Sequence, residues 1–256
     1  MLKPIAYILI ALVSISTPII ANAQSRSFDI EVIIFKRHQP QPTGEYWDQT
    51  QQKLSIHPTQ WLLAPLLKCQ SSDCVSSQAV TQIPTVINGS NWPVQKPTSL
   101  QMLPSSQFKL NTQWQRLSRD TAFTPLIHLA WREKVPSRSR AIYLGIMAGK
   151  RLPNDLRSSV NAPYWQLQGG IKISLQHYLY IDSQLLLTEV KNTAAQSTAV
   201  NTQTNIVPNS ANTQPLNALV SYKFDQKIRV RSGEIHYFDH PKMGMLIQIR
   251  KIPGAN

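Results

Sequence analysis

Apolar and polar positions along this chain alternate mostly with a period of two. In residues 28–35, FDIEVIIF, the side chains of Phe28, Ile30, Val32 and Ile34 fall on one face of an extended chain, and Ile33 and Phe35 make its far end apolar on both faces. That pattern predicts an interior strand, with Lys36 and Arg37 marking its solvated end. Residues 38–104 break the rhythm, because Pro40, Pro42, Pro58, Pro65, Pro84, Pro93, Pro97 and Pro104 punctuate them and no period is sustained. Trp47, Trp61 and Trp92 lie inside this loop-rich region, so it is expected to wrap over the core. The next stretch, SSQFKLNTQWQRLSRD, spaces Leu110, Trp114 and Leu117 as one helical face behind Ser105 or Ser106 as a cap, which predicts the one principal helix.

Strand signals return after it. PLIHLAWRE (125–133), the basic turn KVPSRSR and AIYLGIM (141–147) are expected to form an antiparallel pair. A second hairpin is expected where Ile171, Ile173, Leu175, Leu179 and Ile181 alternate with polar or aromatic neighbours before Asp182 and Ser183 turn the chain. Residues 191–218 are low in complexity, rich in Asn, Thr, Gln, Ser and Ala, and contain no acid. Such a segment buries little apolar surface and is expected to be a flexible insertion between neighbouring antiparallel strands. Beyond it Ile228 and Val230 oppose Arg229 and Arg231, and Met245, Ile247 and Ile249 oppose Gln248 and Arg250. The pattern as a whole predicts an α+β fold: a mainly antiparallel sheet, one principal helix, the long Pro-rich loop region, and a single domain after a signal peptide.

The leader is read from residues 1–23, where MLK precedes an apolar stretch from Ile5 to Ile20 and ANA supplies the small residues at which a signal peptidase cuts. Pro18 interrupts that stretch, which is shorter than the ~20 residues of a spanning helix. Residues 24–256 are thus expected to be an exported domain in the periplasm, with no membrane span after cleavage. Export changes how the cysteines are read. Cys69 and Cys74, in CQSSDC, are the chain's 2 cysteines, and in an oxidising compartment they are expected to form a small disulfide-closed ring. Export also changes how the charge is read. The 26 Lys and Arg against 13 Asp and Glu give a formal net charge of +13, and outside the cytoplasm such a balance points to envelope polyanions rather than nucleic acid. The candidates are the phosphates of outer-membrane glycolipid and the free carboxylates of cell-wall peptides.

Catalytic signatures are missing from the sequence. It has no Gly-x-Ser-x-Gly elbow, no phosphate-cradling glycine loop and no His-Glu-x-x-His. The scarcity of acids lowers the case for a paired-carboxylate glycosidase. HYFDH (236–240) groups His236, Asp239 and His240, so the alternative reading is a periplasmic hydrolase or metalloenzyme built on them. The stretch reads as a strand entering a turn before Pro241, where residues four apart need not converge. Arg229 and Arg231 offer a basic strand face, Trp131 and Arg132 an aromatic wall with a carboxylate clamp, and His236 and Tyr237 an anion or peptide contact. These six are the candidate ligand-binding residues. No catalytic residue, metal or cofactor is expected. A low strand count and the Pro-rich first third disfavour an outer-membrane barrel.

Four segments taken together, FDIEVIIFKR, FKLNTQWQRLSRD with FTPLIHLAWRE, GGIKISLQHYLYIDSQLLL and RVRSGEIHYFDHPKMGMLIQI, resemble the CsiV family of periplasmic peptidoglycan-binding proteins. The resemblance spans most of the chain after the leader. It implies a protein that binds peptidoglycan without cleaving it. It also implies a role in cell-wall synthesis and cell shape, through an outer-membrane lipoprotein that activates a bifunctional penicillin-binding protein. It assigns no ligand residues. Sugars stacking on Trp and Arg pairing with peptide carboxylates would suit such a ligand.

Overall fold

The computed structural model describes residues 26–38, 52–62, 85–89, 100–157, 165–193 and 216–252. The expected leader, the cysteine pair Cys69 and Cys74, Trp47 and Trp92, and most of the low-complexity segment lie outside them. The described residues form the strands β1 (Ser27–Arg37), β2 (Gln60–Trp61), β3 (Ile87–Asn88), β4 (Leu100–Met102), β5 (Phe123–Lys134), β6 (Leu144–Arg151), β7 (Trp165–Leu175), β8 (Leu179–Thr193), β9 (Leu216–Val230), β10 (Ile235–His240) and β11 (Met243–Lys251), with one α-helix, α1 (Asn111–Arg119). One sheet runs β10-β11-β1-β5-β3, with β4 also on β5, and the other runs β2-β6-β7-β8-β9. The long pairings are antiparallel, and only the two-residue strands β2 and β3 join their sheets in parallel.

The register of β1 explains why the two sheets stack. Ile30 lies opposite Trp131 and Ile249, and Val32 opposite Leu129 and Ile247, so the even positions of β1 meet the odd positions of β5 and β11 on one face. That face packs against Ile171, Ile181, Leu185, Leu187 and Phe224 of the second sheet in a single core. A fully buried Val, Leu or Ile contributes roughly 1.5–3 kcal/mol, which makes this shared core the main source of cohesion. The odd positions of β1 face the other way. There Ile33 and Phe35 form a second cluster with Leu110, Trp114 and Leu117, so the helix lies on the outer face of the first sheet. A bulge between Ile34 and Phe35 admits Pro125 to β5, where a residue without an N–H removes no ladder bond that the pairing needs.

Four expectations change. PLIHLAWRE and AIYLGIM are not paired: they are β5 and β6, in different sheets, and the basic segment between them carries the chain across the core. The second hairpin exists, but it turns at Gln176–Tyr178, and β8 runs straight through Asp182 and Ser183. Those two residues resemble a turn only locally. In the sheet Asp182 accepts from the Tyr143 hydroxyl at 2.7 Å, and the Ser183 hydroxyl donates to the Gln226 carbonyl at 3.2 Å. The low-complexity segment is narrower than 191–218, because β8 reaches Thr193 and pairs it with Leu216 of β9. It does join neighbouring antiparallel strands, as expected. Finally, Lys36 and Arg37 are not a solvated end. Lys36 forms an ion pair with Glu189 of the opposite sheet, and Arg37 lies 3.1 Å from Asp239 with its side chain 17% exposed.

The helix cap also differs. Neither Ser105 nor Ser106 caps α1; they sit in a separate 3-10 turn, Ser105–Gln107, and no side chain of the Leu110 cap residue serves. Glu31, fully buried on the outer face of β1, takes that part from a distance of 79 residues in sequence. Its carboxylate accepts from the Lys109 amide at 2.8 Å, the Leu110 amide at 2.8 Å, His128 Nε2 at 3.0 Å and Arg250 Nη1 at 2.6 Å. Burial alone would raise its pKa, but the bonds from His128, the two amides and Arg250 outweigh that and hold it below the ordinary 4.5. A depressed carboxyl contributes stability above its unfolded pKa and loses it as pH falls through the folded value. Glu31→Gln is expected to cost about 3 kcal/mol in urea unfolding at pH 7. The gap from the wild type should narrow once pH falls below the ordinary carboxyl value of 4.5 and close only further down, as the native carboxyl takes up its proton.

Candidate ligand-binding site at the open end of the sandwich

The two ends of the sandwich differ. At one, the Lys36–Glu189 pair ties the sheets together. At the other, the start of β1, the end of β11, the β7–β8 turn and the β9–β10 turn leave a cleft of about 280 Å³. Phe28, Leu175, Leu179 and Val230 form its floor, because these strand positions face inward just where the sheets run out of partners. Its rim is polar: Arg26, His177, Tyr178, Arg231, Ser232, Glu234 and Lys251.

The β9–β10 turn is held firmly. Gly233 has a φ of +91° and donates its amide to the Ile249 carbonyl at 2.7 Å. A left-handed φ of this kind favours glycine, so the tight exit from β9 needs it. Nε2 of His236 lies 3.1 Å from the carbonyl oxygen and 3.3 Å from the amide nitrogen of Arg231, and Gln248 Nε2 donates to the Gly233 carbonyl at 3.0 Å. The backbone of Arg231 is thereby fixed while its side chain stays 82% exposed, 3.9 Å from Glu234. Across the cleft, Tyr178 sits in the β7–β8 turn and is 43% exposed. The Arg229 guanidinium covers one face of its ring at 4.6 Å, and the His177 ring meets it at 4.6 Å and 88°.

Of the six candidate residues, the structure brings three together. Arg231 is on the rim, His236 supports it from behind, and Arg229 reaches the rim through Tyr178. The other three lie elsewhere. Trp131 is sealed in the core at 0% exposure, because the register of β5 sets it opposite Ile30, so it forms no wall for a ligand. Arg132 points to the opposite face and donates to both oxygens of Asp29, at 2.7 and 3.1 Å. Tyr237 stacks on Phe35 with an interplanar angle of 6°, accepts from Arg37 at 2.5 Å and donates to Asp239 at 2.6 Å. Burial and the Asp239 carboxylate push its pKa up to about 12. Arg26, His177, Tyr178 and Lys251 were missed by sequence reasoning. They sit at strand ends or in a turn, and only pairing brings them together.

The alternative cluster does not assemble. His236 and His240 share a face of β10 but lie about 13 Å apart along the strand, and Asp239 is on the other face. His240 Nδ1 accepts the Lys242 amide at 3.1 Å, and burial pushes its pKa down to about 4. Among the described residues, no group of three or more His, Cys, Asp or Glu could hold a metal ion. No helix among them is long and apolar enough to cross a membrane.

A β-sandwich with one braced end and one basic, apolar-floored open end is a scaffold for ligand binding. A family model described as "Peptidoglycan-binding protein, CsiV" matches residues 5–252, and the chain belongs to that family. Its members are proteins of the cell envelope by virtue of that ligand. No curated protein and no solved structure matches the chain.

One carboxyl lies beside the cleft floor without lining it. Glu133, opposite Phe28 across the β1–β5 pairing, accepts the Trp131 indole N–H at 3.1 Å. Burial pushes its pKa up to about 7, with the indole bond opposing. The native state therefore holds a proton that the unfolded chain sheds from about pH 4.5 upward. The stabilisation is complete below that pH and is lost as pH rises through 7. Glu133→Gln keeps an acceptor for the indole and carries no charge. Urea midpoints at pH 5 and pH 8 are expected to favour the variant increasingly as pH rises; parallel profiles would show that Glu133 is already ionised in the fold.

Proposed function

We propose that this chain is a non-catalytic periplasmic protein that binds peptidoglycan at the open end of its sandwich. The observation that carries the reading is the cleft itself: among the described residues, cations Arg26, Arg231 and Lys251 rim an apolar floor, facing one acid, Glu234. Guanidinium and ammonium groups suit the free carboxylates of wall peptides, and the chain's net charge of +13 adds long-range attraction. The family match supports the ligand, and the leader-like first residues support export to the periplasm. The segments that resemble the family extend the proposal to cell-wall synthesis and cell shape. On that reading the chain acts beside an outer-membrane lipoprotein that activates a bifunctional penicillin-binding protein.

Sedimentation with purified sacculi tests the ligand. The protein is expected to pellet at low salt and to be released progressively as salt rises, since exposed charges are screened beyond roughly 8 Å at 0.15 M. Absence from the pellet at both low and moderate salt would sink the wall-binding reading. Replacing Arg229 and Arg231 together by Ala should weaken retention about fivefold and flatten its salt dependence. Unchanged retention would move the contact away from this rim.

A further inference from the structure

We infer that the open-end cleft takes the free carboxylate end of a wall peptide stem and does not grip the glycan. This rests on the wall-binding reading and says which part of the polymer the site recognises. The first support is a match of donors and acceptors. A sugar hydroxyl both donates and accepts, so glycan sites need side-chain amides and carboxylates as well as cations. Among the described residues this rim has no Asn or Gln, and apart from Glu234 and Ser232 it faces a ligand mainly with the donors of Arg26, Arg231 and Lys251. An ionised carboxylate accepts only, and it is the group that such a rim satisfies.

The second support is the state of the aromatic. A sugar ring would need an open aromatic face. Tyr178 has the Arg229 guanidinium over one face at 4.6 Å and the His177 ring against it at 88°. The stack holds Arg229 at the rim more than it offers a platform. The third support is size together with floor. A volume of about 280 Å³ lies at the small end of ligand sites, which span roughly 300–1,000 Å³. It suits an end group of a few small residues, not a run of disaccharides. Val230 and Leu179, 3% and 4% exposed, give an aliphatic side chain beside the carboxylate a dry surface. In an intact wall the free carboxylates belong to the peptides, because the acyl groups on the sugars are tied up as amides. The rim chemistry therefore selects the stem.

Titration of the purified protein with a wall stem tetrapeptide, and with the same peptide amidated at its C-terminus, tests this directly. In parallel, intact sacculi are compared with glycan strands freed of peptide by an amidase and then amidated at the lactyl carboxylates that the amidase exposes. The free acid is expected to bind about tenfold more tightly than the amide, and peptide-free glycan should lose most of the retention. Arg231→Ala and Lys251→Ala should each weaken binding of the acid and narrow its advantage over the amide, whereas Lys150→Ala, on a distant strand end, should change neither. The two cleft residues are exposed, so thermal melts are expected to be unchanged, which separates lost binding from lost fold. Equal binding of acid and amide, or full retention on peptide-free glycan, would overturn the inference while leaving wall binding in place. No retention on intact sacculi would overturn both.

Discussion

Glu31 is the interaction on which the rest depends. One carboxylate on the central strand reaches the amides ahead of α1, the ring of His128 on β5 and the guanidinium of Arg250 on β11. It therefore joins the helix and both neighbours of β1 at one point, buried to 0%. A lone buried carboxylate would be strongly unfavourable, and four donors make it tolerable. The arrangement also specifies position, since the helix can begin only where its amides meet those oxygens. Its hydrophobic face, Leu110, Trp114 and Leu117, then lands on Ile33 and Phe35.

With the helix fixed on the outer face of the first sheet, the inner face is committed to the second sheet, and the ends of the sandwich become the places where chemistry can sit. The ends are unequal because β1 is unequal. Its late residue Lys36 bridges to Glu189, whereas its early residue Phe28 is apolar and forms the cleft floor with Leu175, Leu179 and Val230 of the other sheet. The β9–β10 and β7–β8 turns then place their polar residues around that gap. Gly233 and His236 hold the first turn, and Arg229 against Tyr178 orders the second.

Much of this was legible in the sequence, in a specific sense. The period-two faces of β1 and β11 name the core correctly, and the Leu110–Trp114–Leu117 spacing finds the helix, whereas on β9 Val230 is buried but Ile228 is 38% exposed. Those signals are local, and local signals fail where partners are remote. The Glu31 cap, 79 residues from Leu110, leaves no trace beside the helix, so Ser105 and Ser106 look like the natural caps. Strand polarity does not say which sheet a strand joins, so β5 and β6 look like a hairpin. Asp182 and Ser183 carry turn chemistry that the ladder overrides with hydrogen bonds of its own. At the site, Arg231 and His236 are near in sequence and were found together. Arg26 and Lys251 stand at opposite ends of the chain, and only the β1–β11 pairing makes them neighbours.

The same pairings explain where the net charge is left. This chain has few acids, and the fold uses most of the described ones internally. Asp29 takes Arg132, Glu31 takes Arg250, Glu189 takes Lys36, Asp182 takes Lys172, Asp225 takes Lys223 and Asp239 takes Arg37. Each pair removes a cation from the surface tally, and all but Asp225–Lys223, which lies within β9, tie one strand to another. What remains is an excess of cations without acids to meet them. Like charges held together at the cleft rim repel one another, and an arriving carboxylate relieves that repulsion as well as forming its own hydrogen bonds. A fold that spends its acids on architecture thus leaves its open end with a standing preference for an anion.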